Sequence, residues 1–110
     1  MSCIDFDSGI RRAGGSRALY WRFLKQFPED SSMRELCLAL ACGDSERAFL
    51  CAHTLKGLCA QLSITVLCPQ ADALCELLRP RDPALLDAAR AKCSELIPMY
   101  ERVVREIMAL

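Results

Sequence analysis

Apolar residues recur along this chain at intervals of three and four, and sustained alternation of apolar and polar positions is absent. The first spacing places side chains on one face of a helix, and the second would place them on one face of a strand. Only the Ile64-Thr65-Val66 cluster looks strand-like. The pattern therefore predicts a helical protein.

Start and stop signals divide it. Asp7 or Ser8 is placed to cap a short first helix that runs toward Arg12 and stops at Gly14-Gly15. Ser16 caps a second, Arg17 to Phe27, ended by Pro28. Pro28-Glu29-Asp30 opens a third, with Met33, Leu36, Cys37 and Leu40 on one face and Gly43 at its close. Asp44 or Ser45 caps the fourth, which runs to about Leu62. Thr65 caps the fifth, with Pro69 in the tolerated first turn and a stripe of Leu67, Ala71, Leu74 and Leu78. Asp82 caps a long last helix with Pro83 at its first position. Its heptad-spaced face is Leu86, Ala89, Cys93, Leu96, Tyr100, Val103 and Ile107, and a bend is expected at Pro98. Connections of about 2–5 residues between the four later helices favour antiparallel neighbours. The expectation is one all-α domain over residues 1–110. An antiparallel up-down four-helix bundle spans about residues 29–110, with two additional short N-terminal helices at about residues 6–27.

Composition narrows the function. At 110 residues the chain is the size of one domain, and 53% apolar residues supply a core. Fourteen basic and fourteen acidic residues leave no net charge, which excludes a globally basic nucleic-acid binder. The longest strictly apolar run, Leu36 to Cys42, is seven residues against the about 20 a membrane span requires. The first residues hold no apolar stretch of the signal-peptide kind, so the expectation is a cytoplasmic protein without membrane insertion. The eight cysteines include no C-x-x-C pair, and several fall on apolar stripes where a reduced Cys behaves as a small hydrophobe. Reduced thiols, with neither metal nor disulfide, are expected.

One residue stands apart. On a wheel of about 100° per residue, Ala48, Cys51, Leu55, Leu58 and Leu62 of the fourth helix make one apolar stripe. His53, the single histidine, lies roughly opposite its centre, among Phe49, Lys56, Gly57 and Ala60. Solvent-facing helix surfaces are normally rich in Lys and Glu. This one is small and aromatic around an accessible imidazole, which suits docking by another protein. Gly57 costs roughly 1 kcal/mol relative to Ala inside a helix, so a reason other than stability is expected there.

Ala52-His53-Thr54-Leu55-Lys56-Gly57 resembles the histidine signature of the histidine-containing phosphotransfer (HPt) domains of bacterial multistep phosphorelays. Gly9-Ile10-Arg11-Arg12 with Gly14-Gly15, the segment Tyr20 to Phe27, Leu38-Ala39-Leu40 with Gly43-Asp44, and the spacing of Leu67, Ala71 and Leu74 are similar to family segments too. The resemblance implies that His53 is phosphorylated, that Lys56 lies beside the phosphoryl group, and that Gly57 leaves room for it. Phe49, Ala52 and Ala60 become the expected docking residues. Three positions depart from the family pattern: Leu58 follows the glycine where small residues are usual, Ser63 stands where glycine is common, and Cys75 replaces a Glu or Gln that often hydrogen-bonds near the histidine. Glu76 is rotated about 100° away and does not substitute.

The implied chemistry is physically coherent. A neutral imidazole is a competent nucleophile near pH 7, and phosphoryl transfer is mostly positioning and charge neutralisation. The implied partners are response-regulator receiver domains, which would supply Mg²⁺, and a hybrid sensor histidine kinase; a monomer is expected. No phosphate-binding loop or kinase glycine loop is present, so the chain is expected to carry phosphoryl groups and not to make them from ATP. Two other readings stay open: a helical adaptor that docks the same partners without transfer, and a thiol or metal site using Cys51, Cys59 or other cysteines with His53. Cys51 and His53 project about 200° apart, which disfavours a shared ion.

Overall fold

The computed structural model describes residues 2–110, and no strand occurs among them. Six α-helices follow in order: α1 Phe6–Arg12, α2 Arg17–Gln26, α3 Ser32–Cys42, α4 Ser45–Gln61, α5 Cys68–Leu78 and α6 Leu86–Met108. None of them is long and apolar enough to cross a membrane.

Most boundaries follow from local chemistry. Ser16 and Asp44 accept the N–H groups of Leu19 and Arg47 and so satisfy donors that have no partner inside the helix. Gly43 ends α3 with φ +74°, a left-handed conformation that a side chain disfavours. The α1 cap is Asp5, whose carboxylate accepts from the Ser8 N–H at 3.1 Å, and not Asp7 or Ser8. Those two lie inside the helix, whereas Asp5 has the extended backbone that a cap needs. Phe27–Glu29 form a separate 3-10 turn, and do not open α3, because Asp30 turns extended after them and accepts from the Ser32 N–H at 2.8 Å. The Thr65 hydroxyl, the expected cap of α5, donates instead to the Cys3 carbonyl at 3.3 Å. Leu67 occupies the cap position without a side-chain bond. Asp82 caps as expected, yet a 3-10 turn over Pro83–Leu85 precedes α6. α6 then continues through Pro98.

The helices pack in a closed ring. α4 lies against both α3 and α5, α5 lies against α6, and α6 returns to α3. Leu36, Leu40, Leu55, Leu74, Leu96, Val103 and Ile107 fill the space between them. α2 adds Leu24 and Tyr20, whose hydroxyl donates to the Leu62 carbonyl at 2.8 Å and ties α2 to the end of α4. A Cβ on Gly9 would collide with the Tyr20 ring, so the glycine permits α1 to sit close against α2. All eight cysteines are free; Cys3, Cys51, Cys59, Cys75 and Cys93 are buried as small hydrophobes.

Candidate functional site

α4 is the centre of the site because two neighbours hold it. Its buried residues are Ala48, Phe49, Cys51, Ala52, Leu55 and Cys59, while Leu58 is half-buried. That arc is centred about 40° from Leu55, rotated toward α5. Two expected docking residues therefore lie inside the protein, with Phe49 at 7% and Ala52 at 0% exposure. A single apolar stripe accounts for one neighbour, and packing against both α3 and α5 covers a wider arc. His53, Gly57 and Ala60 are exposed as expected, and Lys56 is half-buried.

The imidazole sits at the rim of the covered arc and is held from two sides. Its Nδ1 lies 4.0 Å from the Cys75 Sγ on α5. Its ring stacks on Phe49, one turn earlier, with centroids 5.9 Å apart and planes at 24°. Phe49 is covered in turn by two guanidinium groups, Arg81 at 3.8 Å from the ring centroid and Arg79 at 5.5 Å. Such stacking is worth about 0.5–2 kcal/mol. Arg81 reaches this place from a left-handed backbone, φ +52°, an uncommon conformation for a residue with a Cβ. Its Nε lies 3.2 Å from Glu46, in a contact bent away from hydrogen-bond geometry, and its Nη1 donates to the Arg79 carbonyl. The one hydrogen-bond contact of the His53 ring among the described residues is that of Nδ1, so Nε2 is left without a protein partner.

Charge near the ring is paired. Lys56 Nζ contacts Asp72 on α5 at 2.8 Å, and the hydrogen bond and charge of Asp72 raise its pKa, so the ammonium stays charged. Arg79 binds Glu76 with three short contacts, which occupies the acidic residue adjacent to Cys75. Burial pushes the Cys75 thiol up, against the opposing effect of Lys56 and Arg79, so it is neutral near pH 7.

The tautomer decides what the imidazole does. A sulfur that accepts the Nδ1 proton leaves the Nε2 lone pair free to attack, whereas an S–H that donates to Nδ1 places the proton on Nε2. Thiols are weak in both roles, so Cys75 biases the ring less than a side-chain carbonyl would. A Cβ built on Gly57 meets nothing within 4 Å, so the space next to His53 is open. Ser63 adopts φ +54° in the loop after α4, which accounts physically for the frequency of glycine there in the family it resembles. Among the described residues no group of three or more His, Cys, Asp or Glu is placed to hold a metal.

Sequence reasoning missed Arg79, Arg81 and Asp72. The loop after α5 and the rotation of α4 bring them in, and nothing in their spacing announces it. The separation of four between Phe49 and His53 was the legible sign of the stack.

Residues 18–106 match the family model of the Hpt domain, and the chain belongs to that family. Its members carry phosphoryl groups on histidine within phosphorelays, interact with receiver domains and kinases, and are carriers, not kinases. The match begins inside α2, so Gly9 to Arg12 and Gly14-Gly15 lie outside it. No curated protein and no solved structure gives a significant match.

Proposed function

We propose that the chain accepts a phosphoryl group on Nε2 of His53 from a receiver-domain aspartyl phosphate and passes it to the aspartate of a second receiver. In the forward step Nε2 attacks phosphorus, an N–P bond forms, and the P–O bond to the aspartate breaks. The Nδ1 proton remains on the ring beside Cys75. The observation that carries this reading is an exposed His53 with Nδ1 turned to Cys75, Nε2 unpartnered and open space at Gly57.

His53, Gly57 and Ala60 form the docking face, and Lys56 swings from Asp72 toward the phosphoryl oxygens as charge develops there. Phe49 supports the ring from behind, held by Arg81. Mg²⁺ comes with the receiver and no ATP is consumed. The hybrid sensor kinase stands upstream, and the chain works as a cytoplasmic monomer. The four ring-forming helices, α3 to α6, alternate up and down, which the two-residue connection between α3 and α4 favours.

The weak sulfur partner on Nδ1 favours one second reading, an adaptor that docks receivers without transfer. Incubation with a phosphorylated receiver separates the two. Acid-labile, alkali-stable label on this chain supports the carrier, and receiver binding without label supports the adaptor.

A further inference from the structure

The phosphotransfer reading uses one of the eight cysteines and leaves a pair of others facing each other. Cys37 on α3 and Cys93 on α6 lie 56 positions apart, and their sulfurs are 3.9 Å from one another. They are the one thiol pair in hydrogen-bond contact among the described residues. Cys93 is 4% exposed and Cys37 is half-buried. Both line a shallow surface pocket of about 250 Å³ with Leu40, Ala41, Arg90 and Ile97. Arg90 is fixed there by hydrogen bonds to the Leu40 carbonyl and to Asp87.

These features divide two roles between the thiols. Cys37 is half-buried and is reached from the pocket, on whose wall Arg90 is held. The Cys93 thiol is pushed up to about 12 by burial and then by Cys37, so it waits protonated behind its neighbour. An accessible thiol beside a resolving thiol is the arrangement that turns oxidation into a disulfide instead of a terminal acid. A disulfide needs about 2.05 Å between sulfurs, so the pair must close by about 1.9 Å.

We propose that Cys37 and Cys93 are a reversible oxidation site for a peroxide-class oxidant. The Cys37 thiolate attacks the peroxide, the O–O bond breaks, and Cys37 sulfenic acid and hydroxide form. The Cys93 sulfur then displaces the hydroxyl group; the S–S bond forms, the S–O bond breaks, and the Cys93 proton leaves with the departing hydroxide as water. Overall, two thiols and one hydrogen peroxide give one disulfide and two waters. A dithiol reverses the reaction: one of its sulfurs attacks Cys37, the sulfur it can reach, and releases Cys93, and its second sulfur then closes a disulfide on the reductant and releases Cys37.

The crosslink has a defined topology. It joins α3 to α6 and encloses all of α4 and α5 in one covalent loop, while neither sulfur lies on α4 or α5, the helices that carry His53 and Cys75. Constraint of the unfolded chain then raises stability without altering the imidazole.

The test uses the full reduced chain exposed to hydrogen peroxide, alkylated, and mapped by mass spectrometry in the monomer fraction. The expected product carries one Cys37–Cys93 crosslink, melts at least about 5 °C higher, and returns to the starting state with dithiothreitol. Sulfinic acid at Cys37 with Cys93 alkylated, a crosslink between other cysteines, or an unchanged melting temperature would overturn the proposal. In Cys93→Ala, Cys37 should accumulate as a sulfenic acid trapped by dimedone. If that variant does not fold, the wild-type map decides alone.

Discussion

Gly57 sets stability against transfer within one side chain. It lies in the middle of α4, is exposed, and a Cβ there meets no atom within 4 Å. Replacing it adds no clash and removes the backbone freedom that glycine brings to the unfolded chain. The gain is about 0.5–1 kcal/mol relative to a good helix former. For a domain of this size that raises the melting temperature by about 2–6 °C. Gly57→Leu also fills the space beside His53 that a docked receiver loop and the phosphoryl group would occupy. Transfer should fall at least about tenfold, a transition-state loss of about 1.4 kcal/mol or more. Gly57→Ala serves as the control: it takes the stability gain and leaves most of the space. Thermal melts and single-turnover transfer from one phosphorylated receiver, measured on wild type and both variants, check this. A Leu variant as stable as expected that transfers as fast as wild type would refute the docking face. A destabilised Leu variant would mean that α4 is rotated and Gly57 packs against a neighbour.

Three further outcomes follow from the geometry. Lys56→Ala should slow transfer about 2- to 10-fold without abolishing it, since the ammonium offers charge and no covalent chemistry; an unchanged rate at saturating and subsaturating receiver would exclude that role. Cys75→Gln should place a stronger acceptor on Nδ1, hold the productive tautomer and speed transfer about 2- to 10-fold, provided the melting temperature shows that the larger side chain is accommodated; an equal or slower rate in a folded variant would contradict the tautomer argument. The Tyr20 phenol is pushed up to about 12 by burial and then by Asp5, so the folded state favours its protonated form. Its contribution is complete below the unfolded pKa of about 10 and is lost as pH rises from there through 12. Wild type should therefore lose stability faster than Tyr20→Phe over that range in denaturant melts, and parallel losses would exclude Tyr20.

The legibility of this chain in its sequence was uneven for physical reasons. Caps and breakers act locally, so Ser16, Gly43, Asp44 and Asp82 could be read where they stand. Thr65 could not, because its partner depends on where the N-terminal segment lies against the loop after α4, a contact that the Asp5 N–H also makes by donating to the Ser63 carbonyl. The exposure of His53 and Gly57 followed from the wheel. The burial of Phe49 and Ala52 did not, because a wheel records one helix and not the number of its neighbours. Cys75 was marked as a departure in advance, yet only packing of α5 against α4 reveals which imidazole nitrogen it meets. Arg81 was hidden most deeply. Its position over Phe49 depends on a left-handed backbone that the sequence Arg79-Pro80-Arg81 does not specify.

The central claim is that His53 holds the phosphoryl group in transit. Wild type and His53→Gln, both folded by circular dichroism, are charged from one phosphorylated receiver, isolated, and chased with a second, unphosphorylated receiver. The account predicts stoichiometric acid-labile label on wild type, transfer of that label to the second receiver, and none on His53→Gln. Label on the glutamine variant, or wild-type label that the second receiver cannot take, would contradict it.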